Sequence, residues 1–92
     1  NNLPITAIHT PGHSPGGICI LIPPNHLITG DTLFKGSIGR TDFPGCDQKK
    51  MKSSLKKLFQ MDENIIIYPG HGEISTIGEE KRTNPFYNEA MG

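Results

Sequence analysis

Residues 9–17 read "HTPGHSPGG" and set two imidazoles four residues apart among prolines and glycines. On a helix His9 and His13 would share a face, as in helical metal sites. Pro11, Gly12, Pro15, Gly16 and Gly17 break or fail to sustain a helix, so the stretch is a shaped loop. Before it, "LPITAIHT" (3–10) carries the β-branched residues of a strand. After it, "GICILI" (17–22) is a continuous apolar run suited to a buried strand. "PPN" (23–25) reads as a turn and "HLITG" (26–30) as the returning strand of a hairpin.

Beyond Asp31 the chain enters a Gly-rich loop, "LFKGSIGRTDFPG" (33–45). A helix is predicted from Asp47 to Phe59, with Asp47 as N-cap and Met51, Leu55, Leu58 and Phe59 forming one apolar stripe. "NIIIYPGHG" (64–72) is a short buried strand ending in a Pro-Gly loop. A second helix is expected near Gly78, and Pro85 breaks it or begins another. The order β-β-β-α-β-(α) places the chain in the α/β (α+β) class.

Composition bounds the function. With 92 residues and 34% hydrophobic content, the chain suits one small domain or part of a larger one, and its core would be thin for a protein standing alone. Nine basic and nine acidic residues cancel, so no strong field draws in nucleic acid or an anionic membrane, and neither is expected as a partner. "KKMKSSLKK" (49–57) has helical spacing and reads as a solvated face. Cys19 sits in an apolar run and reads as buried, Cys46 in a loop as exposed. Two free thiols, no signal-peptide pattern and no span-length apolar run point to the cytoplasm. The first residue is Asn1 and not Met, so the expectation is that either the beginning was removed or the chain is a piece of a longer one.

Three strand ends stand out. Each strand is expected to be apolar and buried, and each ends by presenting a metal-competent side chain beside glycine: His13, Asp31 and His71. Rigid strands that run into short loops are where precise ligands are placed. Two imidazoles and a carboxylate suit zinc, manganese or iron(II).

The motifs "HTPGHSPGG", "LITGDTLFKGSIGRTDFPG" and "IIYPGHGEISTIGEEKRTNPF" resemble the second half of a metallo-β-lactamase-fold hydrolase, most closely the glyoxalase II-like (hydroxyacylglutathione hydrolase-like) branch. The resemblance covers essentially the whole chain. It implies the C-terminal half of an αββα sandwich, two sheets face to face with helices outside. It also implies that His13 is a metal ligand, that Asp31 bridges two ions and is thereby catalytic, and that His71 ligates the second ion. His9 and His26 match no ligand. Arg40 falls where the family binds its glutathione moiety, whereas Asp42 and Glu73 stand where larger members have aromatic residues.

The family's remaining ligands come from an HxHxDH motif that this sequence lacks. Residues 1–92 are therefore expected to be the C-terminal portion of the domain, with that motif upstream of Asn1 and little activity in isolation. The implied reaction is thioester hydrolysis by a metal-activated water, with two zinc ions, iron or manganese being possible, and a small-molecule thioester as substrate. Two alternatives share the residues. One is a mononuclear iron persulfide dioxygenase of the same fold; the other is a non-catalytic fragment that forms homo-oligomers through its exposed sheet face.

Overall fold

The computed structural model describes residues 4–42 and 44–92. Leu3, at the start of the first expected strand, and Phe43, in the Gly-rich loop, lie outside the described residues. The elements in chain order are β1 (Thr6–His9), β2 (Ile18–Ile22), β3 (His26–Gly30), β4 (Leu33–Phe34), β5 (Ser37–Ile38), α1 (Gln48–Phe59), β6 (Ile66–Pro69), β7 (Ser75–Thr76), α2 (Ile77–Thr83) and α3 (Tyr87–Met91).

Five strands form one sheet in the order β1-β2-β3-β6-β7, and β4 and β5 form a separate two-stranded hairpin. The β1–β2 and β2–β3 pairs are antiparallel, and β3 pairs with β6 in parallel. A parallel pair needs a long crossover, and α1 supplies it. It follows that β1, β3 and β6 all run the same way, and the chain leaves all three at one end of the sheet. This direction is what positions the site.

Helix α1 begins where the Asp47 side chain accepts a hydrogen bond from the Lys50 amide (3.0 Å), and Lys56 and Lys57 in its last turn complement its dipole. Its buried stripe, Met51, Leu55, Leu58 and Phe59, packs with Cys19, Leu27 and Ile67 from the sheet's inner face. Each such side chain contributes roughly 1.5–3 kcal/mol when removed from water. The period-2 alternation is sharp: Cys19 and Leu27 are fully buried, while their neighbours Ile18 and Ile28 are 49% and 40% exposed. One face of the sheet thus carries helices, and the other presents isoleucines outward.

Four expectations are corrected. β1 is not a buried strand; Thr6, Ala7 and His9 are exposed, because β1 is the sheet's edge and has a neighbour on one side only. The Gly-rich loop contains the β4–β5 hairpin, whose two-residue strands are too short to show a period and whose turn uses Gly36 at φ +77°. The strand over 64–72 shortens to Ile66–Pro69 and is followed by β7, which pairs back on it. Cys46 is half-buried, with its thiol donating to the His13 carbonyl at 3.1 Å.

Candidate metal centre

The His13 loop is built to be rigid. Its neck is closed by Thr10 N–H to the Gly17 carbonyl (2.8 Å), and Asp47 N–H and the Ser54 hydroxyl donate to the carbonyls of Gly12 (2.8 Å) and Pro11 (2.7 Å). Gly12 is required here, since it has φ +144° and a β-carbon would lie 2.5 Å from the Met51 Cα. His13 Nδ1 lies 2.9 Å from the Arg40 carbonyl, an acceptor only. The proton therefore sits on Nδ1, and Nε2 turns its lone pair to the site.

Asp31 follows β3 directly. The Gly70 amide donates to the Gly30 carbonyl at 2.8 Å, so the ends of β3 and β6 are stitched together and His71 is brought beside Asp31. His13 Nε2 is 3.9 Å from Asp31 Oδ2, and His71 Nε2 is 3.6 Å from Asp31 Oδ1. Each carboxylate oxygen thus faces its own imidazole. The three residues singled out in the sequence meet at one end of the sheet.

These separations exceed a direct hydrogen bond, and no three His, Cys, Asp or Glu side chains among the described residues close into a ready cation cage. Donors at about 2.1 Å from a tetrahedral cation lie about 3.4 Å apart, and wider angles open this further. The imidazole–carboxylate gaps therefore fit two donors that share an ion. The imidazole nitrogens and the carboxylate oxygens are a nitrogen and oxygen donor set of the kind zinc, iron(II) and manganese accept. The three side chains are a candidate donor group in which one carboxylate could face two ions.

The remaining histidines lie elsewhere. His9 Nε2 meets the Pro15 carbonyl at 3.0 Å within the loop, and His26 is the first residue of β3, with Nδ1 2.8 Å from the Tyr68 hydroxyl. Arg40 adjoins the site through its backbone. Its guanidinium forks onto Asp42 with contacts of 3.1 and 2.9 Å; that pairing holds the Arg40 group above its usual value and the Asp42 carboxyl below the usual carboxylate range. Sequence reasoning did not single out Phe34, whose ring lies 6.2 Å from that of His71, or Gly39, which presses on Asp31. Both lie inside a quoted motif, but nothing in the spacing marks them.

A family model for the metallo-beta-lactamase superfamily matches residues 2–71, a span that begins before the His13 loop and ends on His71 itself. This chain belongs to that superfamily. Its members bind metal ions and are generally hydrolases. Among metallo-beta-lactamase superfamily relatives, the hydroxyacylglutathione hydrolase GloC of Haemophilus influenzae is 49% identical over 83 residues, 88% of this chain and 39% of its own. The crystal structure of TTHA1623 in a di-iron-bound form superposes with TM-score 0.86 at 44% identity, covering 89% of this chain and 42% of that one. The structure of ETHE1 from Myxococcus xanthus gives TM-score 0.88 at 32% identity over 99% of this chain and 44% of its own. The chain thus spans about two-fifths of the length of the proteins it matches. No helix among the described residues is long and apolar enough to cross a membrane.

Proposed function

We propose that the protein containing this chain hydrolyses thioesters of the hydroxyacylglutathione type at a pair of metal ions. The observation that carries this reading is Asp31, which offers one oxygen toward His13 and the other toward His71. The likeness to GloC supports the thioester class. When bound, the ions, which we assign as zinc with iron or manganese compatible, supply Lewis acidity and a water that ionises near neutral pH.

The chain's own contribution is placement. Asp31 holds the two positions at a fixed spacing. The Arg40 carbonyl locks the His13 tautomer and ring plane, and the loop after β6 delivers His71. The Arg40 side chain, on the same short segment, is assigned to grip a carboxylate of the substrate's thiol moiety, in exchange for its present partner Asp42. Ile18 and Ile28 are exposed on the sheet's outer face, and we assign their cover to a further segment, a reading supported by the greater length of the relatives. That segment is assigned the remaining ligands.

A second reading, an iron persulfide dioxygenase of the same fold, draws on the same His-Asp-His set and on the likeness to ETHE1. Metal analysis of the full-length protein, with assays of both reactions, separates the two. Two ions per chain and cleavage of a hydroxyacylglutathione are expected. One iron per chain, with oxygen consumed in the presence of a persulfide, would overturn the hydrolase assignment.

A further inference from the structure

Glu80 on α2 is a carboxyl side chain with no exposure to solvent and no cationic partner among the described residues. Its Oε1 accepts from the Gly36 amide at 2.8 Å and from Asn84 Nδ2 at 2.9 Å, while Oε2 accepts from the Ser75 hydroxyl at 2.5 Å. Asn84 extends the network, with Nδ2 reaching the Ser37 carbonyl (3.1 Å) and the Phe34 carbonyl (3.4 Å). A buried carboxyl is costly unless its oxygens are satisfied, and here three donors converge on it. Such an arrangement holds its partners to one geometry.

Those partners flank His71 from both sides. Gly36 lies in the β4–β5 turn, and that hairpin carries Phe34, whose ring stands 6.2 Å from the His71 ring. Ser75 ends the loop that carries His71. At the surface, Lys35 and Glu73 join the same two segments at 4.0 Å. His71 itself is 82% exposed and borders glycine on both sides, so little local packing fixes its ring.

We propose that Glu80 is a positioning residue for His71: it clamps the β4–β5 hairpin to the His71 loop, and so sets the imidazole against Phe34 and toward Asp31. The role of His71 as a ligand rests on the function proposed above; the clamp does not.

The test uses full-length protein, first metal-free and then titrated with zinc. In the metal-free state, nuclear magnetic resonance reads the ring-current shift of the His71 imidazole protons and the exchange protection of the Gly36 amide. Glu80→Ala is expected to lose both signatures and to weaken zinc binding by roughly 10–100-fold, the scale seen when an outer partner of a ligand is removed. Glu80→Gln is expected to restore them, because its carbonyl oxygen still accepts from Gly36 and Asn84 while its amide donates to Ser75, whose hydroxyl can accept. Ser75→Ala, a smaller change that serves if Glu80→Ala does not fold, should loosen the His71 loop and weaken zinc binding in the same direction. A folded Glu80→Ala or Ser75→Ala protein with unchanged His71 signature and zinc affinity would overturn the clamp. Wild-type protein that shows the signature but binds no zinc would instead sink the metal-site reading and leave the clamp standing.

Discussion

Gly39 lies directly against the backbone carbonyl oxygen of Asp31, so closely that a β-carbon on Gly39 would overlap that oxygen and also crowd the His13 β-carbon at 3.2 Å. The Gly39 amide meanwhile donates to the Thr32 carbonyl at 3.0 Å. The segment after β5 that lends the Arg40 carbonyl to His13 therefore passes over the Asp31 turn with no room for a side chain.

Gly39→Ala should move the Asp31 turn and the Arg40 carbonyl apart. Overpacking of this kind costs about 1–3 kcal/mol. Denaturant unfolding of the full-length protein should show a loss on that scale, accompanied by reduced metal content. Unchanged stability and metal content would mean the contact relaxes freely.

Asp31→Asn keeps the shape of the side chain and removes its charge. Metal analysis should show less than the normal complement of ions. Thioester turnover should fall by more than the roughly 10–100-fold that removal of an outer partner costs. Normal turnover at normal metal content would contradict a bridging role.

Arg40→Ala removes the guanidinium and leaves the backbone carbonyl that orients His13. Metal content should therefore be retained. The KM for a glutathione thioester should rise by roughly 10–100-fold, the value of a charge-assisted contact, with kcat less affected. A loss of metal with no change in KM would show that the side chain acts structurally instead.

Cys19 is fully buried, and its burial raises the thiol above its ordinary value, against the opposing hydrogen bond from Thr10. The unfolded chain ionises this thiol first, so its contribution to stability is complete below about pH 8.5 and is lost as pH rises toward the raised value. Alkylation of the native protein at pH 8, mapped by mass spectrometry, should label the half-buried Cys46 well before Cys19. Cys19→Ala should make the decline in unfolding midpoint between pH 8 and pH 10 shallower.

The sheet face bearing Ile18 and Ile28 is open in this chain, with Ile5 and Ile74 also exposed. Residues 1–92 expressed alone should form species heavier than a monomer in light scattering, and Ile28→Lys should shift them toward monomer. A stable monomer without the substitution would count against association through this face.

Much of the architecture could be read from local pattern. The Asp47 cap and the stripe from Met51 to Phe59 specify α1 within one residue of where it lies, because both signals act inside the helix itself. The apolar runs around Cys19 and Ile67 likewise mark strands, and glycine beside His13, Asp31 and His71 flags loops at their ends. The β4–β5 hairpin and β7 leave no such mark, since two-residue strands carry no period and exist through their pairing partners. The exposure of β1 was equally hidden, being a consequence of edge position and not of composition.

Residue types and their order thus established the donor chemistry of His13, Asp31 and His71 and the class of fold, since helix caps, apolar periods and turn glycines act over short range. Their convergence, the sharing of one carboxylate by two imidazoles, the hold of the Arg40 carbonyl on His13 and the Glu80 network all arise from strand direction and long-range packing. Side chains dozens of residues apart become neighbours only when β1, β3 and β6 run parallel in space, and no local signal records that direction.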